Sequence, residues 1–246
     1  MNNLLTTLLL AVVASVTGLV HAQTAAQTAA PTSAPAPAAA QPAKAAKAAA
    51  PAAGAKSMEA KTAMCMGCHN IKGYQASFPE VYKVPMIAGQ NAKYIAAALT
   101  AYKNGDRRHP TMRGIATSLS EQDIADIADF YSKLAAPATL ADQPAKQPDT
   151  QVAALLQKAN CVSCHGSNFS KPIDPSYPKI AGQHKDYLFV ALKAYKTDNN
   201  PAVGRSNPIM GAMAKQFSNA ELKALAGYVS SLDGELQTVP EHRFHY

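Results

Sequence analysis

The 246-residue chain has no tryptophan and only six phenylalanines, and 16% of its residues are charged. That leaves little material for a large aromatic core, whereas abundant alanine suits small helical domains. No segment alternates apolar and polar side chains at the two-residue period of a half-buried strand. Basic residues are in excess, giving a net charge of +7, but they are not concentrated. Lys44, Lys47 and Lys56 supply three of those charges near the N-terminus, and residues 57–136 and 161–246 each carry nine basic against seven acidic side chains. This falls short of the density that binding nucleic acid requires; surface lysines at this density suit docking to an acidic partner protein. Cysteine is scarce, with four in all. None follows the N-terminal apolar run, which excludes a lipid anchor on cysteine there.

That apolar run, Leu4 to Val20, has polar flanks and ends at Val20-His21-Ala22, a small-x-small cleavage site. It reads as a secretory signal peptide, residues 1–22, cleaved after Ala22. Its length is near the lower limit for a membrane span. Residues 23–56 are rich in Ala and Pro, and frequent proline blocks a continuous helix. No apolar periodicity offers a core there, so the segment is expected to be a disordered leader or tether.

The four cysteines occur in two pentapeptides, Cys65-Met66-Gly67-Cys68-His69 and Cys161-Val162-Ser163-Cys164-His165. Cys-x-x-Cys-His is the attachment signature of a c-type haem. The thiols add across the two vinyl groups, so they must lie about one helical turn apart, and the adjacent histidine reaches the iron. Two copies that consume every cysteine make the signal strong. They also fit export, because this haem is attached outside the bacterial cytoplasm. A zinc reading of the Cys-x-x-Cys pairs leaves both histidines and the export signal unexplained.

The pentapeptides belong to a longer internal repeat. Pro85-Met86-Ile87-Ala88-Gly89-Gln90 matches Pro178-Lys179-Ile180-Ala181-Gly182-Gln183, and Tyr94, Leu99 and Ala101-Tyr102-Lys103 match Tyr187, Leu192 and Ala194-Tyr195-Lys196. The offset is 96 at the cysteines, 93 at the proline segment and 98 from Met112/Met210 onward. Each copy reads as helical. Helices are expected to lead into Cys65 and, capped by Asp149, into the second motif. Further helices follow Asn91 and end near Gly105, and start at Ser120 and Ser218 with Asp123 and Glu221 completing capping boxes. The expected organisation is an all-α chain of two domains, residues 57–136 and 149–234. A Pro-containing linker, 137–148, joins them, and a polar tail, 235–246, follows. A domain of about 80 residues has a marginal core, which a covalently held cofactor would fill.

Cys65, Cys68, Cys161 and Cys164 are thus the expected attachment points, and His69 and His165 the first axial ligands, their other ring N–H seeking a carbonyl on the Pro85 and Pro178 loops. For the opposite face of each iron, Met112 and Met210 occupy matched positions, each two residues after a proline. Met213, Met86, Met64 and Met66 align with Ile115, Lys179, Asn160 and Val162, and His109 with Asn207, so none of them is shared between copies. His184 opens a helix, and His242 and His245 lie in the tail.

Tandem class I cytochrome c domains with these motifs, the Pro-x-Ile-Ala-Gly-Gln segment and a distal Met in each resemble the di-haem cytochrome c4 family over roughly residues 57–232. The resemblance implies two small helical domains, each wrapped around one covalent haem c. It further implies a periplasmic one-electron carrier, free or loosely membrane-associated, running from a quinol–cytochrome c oxidoreductase (a cytochrome bc complex) towards a terminal oxidase or another periplasmic reductase. A monomer or weak dimer is expected, without nucleic acid. His/Met ligation of both irons would leave no open site, which speaks for a carrier and against an enzyme such as a di-haem peroxidase. The alternative is a haem-bearing electron-transfer subunit of a larger periplasmic dehydrogenase or reductase.

Overall fold

A computed structural model describes residues 56–241; the export signal, the leader before Lys56, and His242 and His245 lie outside them. Helix α1, Met58–His69, starts where the Ser57 hydroxyl accepts from the Ala60 N–H (3.2 Å), and it runs unbroken through the first pentapeptide. A two-residue hairpin follows, β1 (Gln75–Ala76) antiparallel to β2 (Tyr82–Lys83). Helix α2, Ala92–Asn104, stops at Gly105, whose φ of 89° is easy only for glycine. Strand β3 (Arg107–Arg108) leads into α3, Pro110–Thr117, and α4, Glu121–Leu134. The second repeat has α5 (Thr150–Lys158), α6 (Val162–His165), α7 (Lys185–Ala194), β4 (Gly204–Arg205), α8 (Pro208–Lys215) and α9 (Asn219–Ser230).

The caps fall where the sequence places them. Asp149 accepts from the Val152 N–H, and Ser120/Asp123 and Ser218/Glu221 form complete capping boxes. Three features differ from the sequence reading. Asn160 has a positive φ of 45°, so the helix entering the second pentapeptide is interrupted where the first is continuous. Met112 and Met210 lie inside the short helices α3 and α8, each with proline in its first turn. Among the described residues there are four strands of two residues each, too short to leave any alternation.

Each repeat buries its own cluster. In the first, Ile95 and Leu99 of α2 meet Ile124, Ile127, Ala128 and Tyr131 of α4. In the second, Leu188 of α7 meets Leu222, Leu225, Ala226 and Val229 of α9, with Val152 and Leu155 of α5. The Ala-Gly-Gln segments tie both clusters to the last helix of each repeat, through Gly89 N–H to Tyr131 C=O (2.9 Å) and Gly182 N–H to Val229 C=O (3.1 Å). Ala88 and Ala181 are fully buried. Gly89 has a φ of 83°, and a Cβ there would sit 2.6 Å from the Glu235 carbonyl, so no other residue fits.

The repeats are joined face to face. Strands β3 and β4 pair antiparallel, Arg107 opposite Arg205, and the Ser206 N–H donates to the Asp106 carbonyl (2.7 Å). The Lys83 N–H donates to Asp186 (3.0 Å), and Lys193 pairs with Glu80. Residues 235–241, the described part of the polar tail, are held against the first repeat. Leu236 is buried, Val239 packs on the first repeat's cluster, the Gln237 N–H donates to the Ala88 carbonyl (3.0 Å), and Glu235 pairs with Lys179. Two apolar side chains in a polar stretch are too few to show this in the sequence.

Lys61 of α1 reaches Asp123 of α4 at 3.1 Å. The Ser120 hydroxyl first, then Lys61, hold the Asp123 carboxyl down at about 2, against an ordinary 3.8. A depressed folded-state value stabilises above the unfolded value and is lost as pH falls through the folded one. Stability of the holoprotein should therefore decline between about pH 4 and pH 2, and Asp123→Asn should flatten that decline in denaturant titrations run across the window. An unchanged slope in the variant would show that Asp123 contributes nothing to it.

Candidate haem sites

Helix α1 puts Cys65 and Cys68 one turn apart with His69 next in line. The His69 Nδ1 lies 2.8 Å from the Pro85 carbonyl oxygen. A carbonyl only accepts, so Nδ1 carries the proton and Nε2 is the free donor atom. In the second repeat His165 Nδ1 meets the Pro178 carbonyl at 3.1 Å, with the same consequence. Burial pushes both imidazoles below their ordinary value, partly opposed by these carbonyls.

A cavity of about 350 Å³ opens beside α1, and Cys65, Cys68, His69 and Met112 all line it. Its other walls come from Ile95 and Leu99 and, across the interface, Ile180 and Leu188. Met112 is the third residue of α3, and its N–H faces His109 Nδ1 (3.4 Å) as the helix cap. Met210 holds the equivalent place in α8, its N–H donating to Asn207 Oδ1 (2.9 Å). His109 and Asn207, unlike in chemistry, thus do the same structural work. Cys161 and Cys164 are half-buried beside the buried His165.

The surroundings of Cys65 and Cys161 favour neutral sulfur. Burial pushes the Cys65 thiol up to about 11, opposed by a backbone hydrogen bond, and raises Cys161 for the same reason. Such sites suit a thioether and disfavour the thiolates a zinc centre needs. Among the described residues no three His, Cys, Asp or Glu side chains converge on a metal-sized site.

Sequence reasoning missed a layer of charge behind the cavity. Arg107 lines it, with its Nη2 donating to the Tyr94 hydroxyl (2.9 Å) and its guanidinium over the Tyr94 and Tyr102 rings, 5.2 and 5.6 Å from the centroids. Arg205 repeats this with the Tyr187 hydroxyl (3.0 Å) and the Tyr187 and Tyr195 rings, at 5.6 and 5.3 Å. The offset of 98 found at the methionines extends back to this arginine pair, and that was the available signal. Among the described residues neither guanidinium has a carboxylate partner. Two neighbouring cations enclosed by tyrosine rings call for anions. The carboxylate side chains of a haem meet that need, so an apolar cavity, neutral sulfurs and cationic end together fit this group.

The cytochrome c family profile matches residues 51–135 and again 150–233. Cytochrome c4 of Pseudomonas aeruginosa is 27% identical over 180 residues, covering 71% of this chain and 86% of that protein. A thiosulfate dehydrogenase electron acceptor of Stutzerimonas stutzeri is 28% identical over 183 residues, covering 70% and 82%. Among solved structures, Acidithiobacillus ferrooxidans cytochrome c4 aligns with a TM-score of 0.51 at 26% identity, covering 70% of this chain and 99% of that one. Domains of this family hold haem c covalently and serve electron transfer. The chain belongs to the cytochrome c family, as a tandem-domain member of the di-haem cytochrome c4 group.

Proposed function

We propose that this chain is an exported, periplasmic one-electron carrier with two haems in His/Met ligation, His69 with Met112 and His165 with Met210, attached through Cys65, Cys68, Cys161 and Cys164. The observation that carries the reading is the convergence of Cys65, Cys68, His69 and Met112 on one cavity, with His69 already oriented by Pro85. The second repeat follows by its matched elements, from the His165–Pro178 bond to the capped Met210 helix. A bound haem supplies an iron that gains and loses one electron. The chain's residues set how easily that happens. The proline carbonyls fix each imidazole with Nε2 free, the thioethers of methionine favour the reduced iron, and the apolar walls keep water away. The arginine–tyrosine layer compensates negative charge at the junction of the repeats.

If Met112 and Met210 complete the ligation begun by His69 and His165, neither iron would offer a site to a substrate, and the chain would carry electrons without transforming one. It serves a respiratory chain between a quinol–cytochrome c oxidoreductase and a terminal oxidase. A second reading, the electron-accepting partner of a periplasmic dehydrogenase, is favoured by the similarity to thiosulfate dehydrogenase electron acceptors. Export rests on residues 1–22; among the described residues no helix is long and apolar enough to cross a membrane.

Redox titration with optical and magnetic spectroscopy should resolve two low-spin centres with methionine-to-iron absorption in the far red, and the reduced protein should bind carbon monoxide weakly. Tight binding would mark an open iron and replace the carrier by a catalyst. Co-elution with a dehydrogenase as one stable complex, in place of a free monomer or weak dimer, would select the second reading.

A further inference from the structure

Gln90 and Gln183 close the two Pro-x-Ile-Ala-Gly-Gln segments, and each is only 4% exposed. Neither carboxamide is spent on its own repeat's core. Gln183 Nε2 donates to the Met86 carbonyl (2.8 Å) while its Oε1 accepts from the Met86 N–H (3.0 Å). Gln90 does the same to Lys179, donating to its carbonyl (2.9 Å) and accepting from its N–H (2.9 Å). Each Oε1 also accepts from the following backbone N–H, Asn91 or His184, at 3.0 Å, so two N–H donors fix which end of the amide is oxygen.

Met86 and Lys179 are the residues after Pro85 and Pro178. The N–H held by each glutamine therefore belongs to the same peptide group as the carbonyl that holds a histidine. One relay runs from His69 Nδ1–H to the Pro85 carbonyl, through that peptide to the Met86 N–H, and on to Gln183 in the other repeat. Its mirror runs from His165 through the Pro178–Lys179 peptide to Gln90. Hydrogen bonds in series polarise one another. An acceptor on the peptide N–H makes the carbonyl oxygen more negative, the carbonyl pulls harder on the histidine proton, and Nε2 becomes the stronger donor. A stronger donor favours the oxidised iron.

We infer that Gln183 is a positioning residue for the haem of the first repeat and Gln90 for that of the second, so each potential is tuned from the opposite repeat. This rests on the axial-ligand reading proposed above. It also ties closure of the interface to ligand strength, because separating the repeats would remove both glutamines at once.

The test uses the holoprotein with both haems. Gln183→Met keeps side-chain length and volume and removes both hydrogen bonds to Met86. Its expected result is a raised potential at the first-repeat haem, an upfield move of the His69 Nδ1–H resonance in the reduced protein, and a smaller change at the second haem. Gln90→Met should give the reverse pattern. A role confined to holding the repeats together moves both haems alike in both variants, and that outcome, or a larger shift on the variant's own repeat, overturns the proposal. If one variant fails to take up haem, the other decides by where its larger shift falls. If both fail, Gln183→Glu keeps an acceptor for the Met86 N–H; His69 Nδ1–H should then hold its position or move downfield, and an upfield move overturns the proposal. The ligand reading is judged separately in the unsubstituted protein, which should show two methionine methyl signals shifted by the porphyrin ring currents. Their absence would sink that reading before any glutamine is changed.

Discussion

Met112→His is expected to lower the potential of one haem by on the order of 0.2 V, a fraction of the roughly 0.8 V that axial ligands span, and to abolish its methionine-to-iron absorption. The other haem should keep both. Met112 sits on the cavity that Cys65, Cys68 and His69 line, at the third position of a helix with capped N-terminus and proline in its first turn. Thioether sulfur is soft and favours Fe(II); imidazole is the better donor to Fe(III), so the sign is downward. Met210→His should do the same to the second haem. Met64→Leu and Met213→Leu are the controls: Met64 is 67% exposed at the rim, and Met213 accepts a contact from the amide of Gln216, the residue that caps the end of its helix. Spectroelectrochemistry of the four variants checks the assignment, and an unchanged potential in Met112→His would remove Met112 from the iron.

Replacing Cys65 and Cys68 together by serine should cost the first repeat its fold as well as its haem. A cavity of about 350 Å³ left without its filling costs about 8 kcal/mol at ~24 cal/mol per Å³. That is as large as the whole stability of a typical domain, about 5–15 kcal/mol. The first repeat's buried cluster, seven residues with a single aromatic among them, has no reserve to offset it. Haem content should fall from two to one per chain, with loss of helical signal near the size of one repeat. Because Ile180, Gln183 and Leu188 wall the same cavity, the second repeat should also melt at lower temperature. One haem per chain with full helicity and unchanged melting would show that the repeat folds without its cofactor.

Much of this was legible in the residues. Local chemistry fixes caps, and Ser120, Asp149 and Ser218 start their helices as read. Covalent attachment demands a fixed spacing, so the pentapeptides could be recognised without a fold. The duplication then screened candidates: a feature shared by both copies at one offset, such as Met112 and Met210, stands out from unmatched residues such as Met86 and His109. The same test carried two residues further would have found Arg107 and Arg205.

What stayed hidden depends on partners far apart in the chain. Gln183 reads as a polar residue closing a loop, and only the face-to-face join of the repeats brings its amide onto Met86. Residues 235–241 read as a tail because their bonds go to Ala88 and Lys179, more than fifty residues away. The short helix around each methionine was missed because its start is capped by unlike residues, His109 in one copy and Asn207 in the other. The sequence by itself determined two repeats with haem-attachment motifs and singled out the candidates for attachment and axial ligation, since spacing along one helix and agreement between copies are properties of the chain. Tertiary structure alone decided that the repeats share a cationic, tyrosine-lined junction and reach into each other's proximal hydrogen bonds, because those contacts exist only once two separately folded surfaces meet.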